Sequence, residues 1–181
     1  MGTHLPEKRY LGSSLPPAIE VPDAGAGSWY AMGPLDDKGR ATWVDAVLNK
    51  TDLSDAPRGK LDDPAGWESG LNYNRTHLGA HQLGFPPDPR NVTTAAREVN
   101  TFGNLPPAGV TDLRPPNMRA VEIQVAEALN AGQTVRYRVT PIYHGDAPMP
   151  VAYSMQVEGT GGPMKPLSID TVIRGWTHHT K

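Results

Sequence analysis

The residue that first asks for an explanation is Glu122. The stretch 117–130 (NMRAVEIQVAEALN) carries apolar residues at helical spacing, with Met118, Val121, Val125 and Leu129 forming one stripe. At about 100° per residue, Glu122 falls about 40° from Met118, inside that stripe, whereas Glu127 falls on the opposite side. A carboxylate on a buried face costs several kcal/mol unless something satisfies it. The candidates are an arginine, backbone amides or a hydrated metal ion. A structural salt bridge is the plainest of these.

A second pair stands in 91–100 (NVTTAAREVN). Val92, Ala95, Ala96 and Val99 follow an i, i+3, i+4, i+7 pattern, which predicts a short helix capped by Asn91. On that helix Arg97 and Asn100 share one flank. An amide oxygen beside a guanidinium suits a hard cation and a phosphate held together, although an exposed helix edge would look the same. A third candidate is His77, in NYNRTHLGAHQLGF, followed by His81. The four-residue spacing suggests zinc, but HLGAH lacks the glutamate of HExxH, and Gly79 disfavours a helix there.

These residues need elements to position them. Residues 28–35 (SWYAMGPL) and 40–48 (RATWVDAVL) read as two strands joined by a DDKG turn, and 50–70 as a polar loop. Asn117 can cap the second helix, and AGQ after it ends it. Three strands follow, at 134–144, 149–158 and 167–174, expected to form an antiparallel meander. In the first of them Val135, Tyr137 and Val139 take one face, and Arg136 and Arg138 the other. Residues 1–27 are rich in Pro, Gly, Ala and Ser and read as a flexible arm, leaving 28–181 as a single domain.

Composition narrows the chemistry. The chain has 181 residues, with 19 Gly and 19 Pro, which favours short elements and long loops over a helical bundle. It has no cysteine, so any metal must sit on oxygen or imidazole ligands. No apolar run is long enough to span a bilayer, and the N-terminal residues show no secretory leader pattern. The net charge is −2, unpromising for a nucleic-acid partner, but the distribution is uneven. Residues 1–70 hold 11 acids against 7 bases, whereas 71–140 hold 5 acids against 7 bases, all of them arginine. Arginine forks match phosphate oxygens better than lysine does.

Four segments in order carry a resemblance. Asn74-Arg75-Thr76-His77, then Asn91 through Arg97 to Asn100, then Glu122, and finally VRYRVTPIY from Val135, with PAGW at 64–67 upstream, resemble the DNA/RNA nonspecific endonucleases. Within that family the pattern, spanning about 64–175, is similar to secreted nucleases and nuclease toxins of Gram-positive bacteria. The resemblance implies an α+β fold with a ββα-metal core, a mainly antiparallel sheet, short helices and long loops. It further implies hydrolysis of DNA, and of RNA as a second substrate, to 5′-phosphate products. Mg²⁺, with Mn²⁺ as a substitute, is the implied cofactor. His77 matches the general base. Asn100 matches the direct metal ligand, and Asn91 and Glu122 match positions holding metal-bound water. Arg97 and Arg138 match groups that neutralise phosphate oxygens, with Arg75, Asn74 and Arg136 as substrate contacts. NRTH replaces the family's DRGH, so Asn74 keeps an acceptor but lacks the charge that would tune His77.

The competing expectation is a noncatalytic nucleic-acid-binding domain that keeps the fold. A small β-rich interaction module is a third, which leaves Glu122 unexplained. The resemblance and the N-terminal residues together suggest a protein that is secreted, or a toxin domain of a larger effector delivered to a target cell, with an immunity protein as partner and no membrane association. Sequons at Asn49, Asn74 and Asn91 overlap the proposed site, which argues against a eukaryotic secretory route.

Overall fold

The computed structural model describes residues 5–8, 19–71, 73–96, 99 and 117–174. Arg97 and Asn100, expected to share one flank of a helix, lie outside the described residues. In chain order the elements are β1 (Trp29–Met32), β2 (Val44–Leu48), β3 (Tyr73–His77), β4 (Val92–Ala96), α1 (Met118–Asn130), β5 (Thr134–Ile142), β6 (Ala152–Thr160) and β7 (Ser168–Arg174). Five strands form an antiparallel sheet in the order β1-β2-β5-β6-β7. β3 and β4 form a separate two-stranded antiparallel ribbon.

The alternation expected of β5 holds. Val135, Tyr137 and Val139 are fully buried in the core, beneath α1, which contributes Met118, Val121, Val125 and Leu129. Asn117 caps α1 by accepting a hydrogen bond from the Ala120 amide at 2.8 Å. Glu122 is 6% exposed on the buried face of this helix, as the wheel required, and Glu127 is exposed.

The helix expected over 91–100 is a correction. Residues 92–96 are a strand, paired from Val92↔His77 to Ala96↔Tyr73, although Val99 is helical. Asn91 does not cap a helix; it ends a short 3₁₀ turn, Pro89–Asn91. The apolar spacing misled because every residue of β4 is buried, on both faces, so neither period is expressed. Three β-branched residues in a row, Val92, Thr93 and Thr94, then favour the extended chain. The buried Thr93 hydroxyl also meets the Tyr153 hydroxyl at 2.7 Å, tying the ribbon to β6.

Two glycines shape the turn that follows β3. A side chain on Gly79 would fall inside the Phe85 ring, so only glycine lets the two pack. Gly84 has φ of 94°, and a Cβ there would lie 2.6 Å from the Asp52 carbonyl oxygen. Phe85 in turn packs against Tyr30 and Tyr137, with ring centroids 6.1 and 5.8 Å away.

Candidate active site

His77 is the last residue of β3, where the ribbon meets the core. The next carbonyl, that of Leu78, accepts a 2.8 Å hydrogen bond from the buried Tyr137 hydroxyl. Behind it, Asn91 is wholly buried and bonds Gly79 reciprocally: its Oδ1 accepts from the Gly79 amide at 2.7 Å, and its Nδ2 donates to the Gly79 carbonyl at 2.9 Å. Nδ2 also reaches the Pro86 carbonyl at 3.3 Å. The backbone around His77 is therefore fixed from the sheet and from the ribbon.

His77 lines a small cavity of about 80 Å³ together with Arg58, His81, Gln82, Arg119 and Glu122. Burial is the main reason its imidazole titrates low, at about 4, helped by the Arg58 guanidinium and then His81. A neutral ring at neutral pH is what a proton acceptor requires. Burial pushes Glu122 the other way, up to about 7, against the opposing pull of Arg119 and Arg58. Among the described residues Glu122 makes no hydrogen bond or ion pair, and neither do the guanidiniums of Arg58 and Arg119. The pocket thus gathers two cations, a neutral imidazole and a carboxylate that ionises near neutrality. Its electrostatics favour an anion.

The other sequence-derived candidates divide. Arg75 lies two residues from His77 on the same side of β3, stacked over Trp67 at 4.0 Å and bonded to Asp63 through Nε at 2.8 Å and through Nη2. Strand alternation puts Asn74, opposite Ala95, on the other side from His77. Asn91, expected to hold a metal-bound water, has both atoms of its amide group hydrogen-bonded to Gly79. Arg136 and Arg138 share a carboxylate partner. They leave β5 on the face opposite Tyr137, and both bind the buried Asp45 carboxylate: Arg136 at 2.8 and 2.6 Å, Arg138 at 3.1 Å. A carboxylate that is 0% exposed needs such partners.

Sequence reasoning missed three residues. Arg119 stands three before Glu122 on α1, a spacing that could have flagged it. Tyr137 reads only as core. Arg58 comes from a loop with no periodicity and gave no signal.

The role of Asn91 can be tested. Asn91→Ala should leave the Gly79 amide and carbonyl unpaired and destabilise the fold by about 1–3 kcal/mol. Thermal unfolding should show the loss, whereas the Mg²⁺ concentration giving half-maximal cleavage should not move. A shifted midpoint at unchanged stability would return Asn91 to the metal site.

The antiparallel sheet with α1 packed on β5, together with the β3–β4 ribbon, makes up the ββα-metal nuclease fold, and the model of the DNA/RNA non-specific endonuclease family matches residues 22–161. The chain belongs to that family, and it is an endonuclease. It is similar in fold to NucA of Streptococcus agalactiae solved with magnesium bound (TM-score 0.69, 19% identity), over 88% of this chain and 78% of that one. The metal-free form of that nuclease gives a TM-score of 0.66 at 22% identity, over 84% of this chain and 73% of the other. The Sda1 nuclease with a bound zinc ion gives 0.64 at 20% identity, over 82% and 75%. No individually curated protein matches the sequence.

Proposed function

We propose that this chain is a Mg²⁺-dependent, sequence-nonspecific endonuclease that cuts DNA, and RNA as well, with His77 as general base. The observation that carries the reading is the shared pocket of His77, Glu122, Arg58 and Arg119. The neutral His77 imidazole takes a proton from a water molecule, and the hydroxide formed attacks phosphorus. The bond from phosphorus to the 3′ oxygen breaks, leaving a 5′-phosphate and a 3′ oxygen that takes up a proton from water to become the 3′-hydroxyl. Arg58 and Arg119 hold the nonbridging oxygens and counter the charge that grows on them.

The donors suit a hydrated hard cation. Glu122 offers a buried carboxylate that makes no hydrogen bond among the described residues, which contain no cluster of three or more His, Cys, Asp or Glu that would cage zinc. Glu122 would hold metal-bound water and Asn100 would bind the ion directly, as the family resemblance implies. Mg²⁺, or Mn²⁺ in its place, would supply charge stabilisation for the leaving oxygen. Arg97 would add a further positive charge, and Arg75 on its Trp67 platform a contact to flanking backbone.

The wider setting follows the relatives. Solved neighbours described as an extracellular endonuclease and an extracellular nuclease share the fold, and we read this chain as a secreted nuclease or the toxin domain of a larger effector, restrained in its producer by an immunity protein. Among the described residues no helix is long and apolar enough to cross a membrane. The chemistry is tested on the ends it makes. Fragments from unrelated plasmids should carry ligatable 5′-phosphates, show no common cut sequence, and form more slowly as salt rises. Ends bearing 3′-phosphate would contradict the proposed bond cleavage.

A further inference from the structure

A larger groove, of about 850 Å³, adjoins the His77 pocket, and His81 lines both. Its character is different. Pro57, Pro86, Pro87 and Phe85 line it, and Ser54 and Asp55 add polar atoms; among the described residues no Lys or Arg lines it. His81 forms the partition, held by a 2.6 Å hydrogen bond from its Nε2 to the Ala56 carbonyl. One loop serves both sides, since Arg58 faces the phosphate pocket while Pro57 and Gly59 line the groove. The cationic cavity is too small for a base. The groove lies within the range typical of small-molecule sites, and among the described residues it presents apolar proline rings and acceptor oxygens without a Lys or Arg.

Resting on the phosphodiesterase reading above, we propose that this groove is a subsite for one unpaired nucleobase of the nucleotide whose phosphate occupies the His77 pocket. A phosphate and its base are joined through a sugar, so a strand seated at Arg58 and Arg119 places a neighbouring base at the groove mouth. Apolar faces accept any base, because every base has a stacking face, and acceptors such as Asp55 can receive its exocyclic N–H groups. Lack of positive charge in the groove disfavours a second phosphate there. The base must leave its partner to enter, so a single strand should be cut faster than the same sequence in a duplex.

The test uses a single-stranded oligonucleotide with one abasic residue, cut in Mg²⁺ and read at nucleotide resolution. Wild-type cleavage at one of the two phosphates flanking the abasic position should fall about 5- to 100-fold relative to the unmodified oligonucleotide. Ala56→Trp, which fills the groove while keeping the backbone carbonyl that holds His81, should slow cutting of the unmodified strand and erase its advantage over the abasic one. Normal cleavage on both sides of the abasic residue by the wild type would overturn the subsite alone. An oligonucleotide left whole at every position would overturn the phosphodiesterase reading, and the subsite with it.

Discussion

His77→Ala should lose about 10²–10⁴-fold in cleavage rate while remaining folded, the usual cost of removing a general base. His77 is half-buried at the end of β3, and the hydrogen bonds that fix its surroundings, from Tyr137 to Leu78 and between Asn91 and Gly79, do not involve its ring. Removing the imidazole should therefore leave the scaffold intact. His81→Ala should be much milder, because that ring bonds the Ala56 carbonyl and titrates no proposed step. The pH profile gives a second reading. Burial holds His77 near 4, so the imidazole stays able to accept a proton well below the pH of about 6.5 at which a free histidine half-titrates. Sensitivity near pH 7 should come from Glu122 instead, and adding Mg²⁺ should move that limb downward. Full activity in folded His77→Ala would end the assignment.

Glu122→Gln should raise the Mg²⁺ concentration needed for half-maximal cleavage by about 10–100-fold, as loss of a group that orients metal-bound water does. Asn100→Ala should cost more, since it would remove the direct ligand. Stability separates this from a structural role. Glu122 is held at about 7 when folded, against an ordinary 4.5, so between those values the folded chain binds more protons than the unfolded one. Its favourable contribution is present below pH 4.5 and is lost as the pH rises through 7. In chelator at pH 8, Glu122→Gln should thus be more stable than wild type, by on the order of 3 kcal/mol for a shift of this size, and the two should converge near pH 4. Mg²⁺ should close the gap at pH 8. A Glu122→Gln protein that is less stable in chelator, with an unshifted Mg²⁺ midpoint, would make Glu122 part of the scaffold.

Glu122 was legible because helical period and a charged residue in an apolar stripe are both local facts, and α1 follows the wheel. β5 was legible for the same reason, in its strict alternation. β4 was not: burial on both faces removes the period that distinguishes a strand from a helix, and pairing with β3 decides the outcome. That one change also moved Asn91 from a helix cap to a clamp on Gly79. Arg136 and Arg138 show a different limit. Their alternation was read correctly, but only the pairing of β2 with β5 reveals that Asp45 lies opposite Arg138 and hydrogen-bonds both guanidiniums. Arg58 reaches the pocket from an irregular loop, where spacing carries no information about direction.

The most direct test of the central claim is conversion of supercoiled plasmid by the purified chain, in Mg²⁺ and in Mg²⁺ with excess chelator. Nicked, then linear, then fragmented DNA should appear in the first and intact supercoils should persist in the second. Equal cleavage in chelator, or none in either, would contradict a metal-dependent phosphodiesterase built on His77.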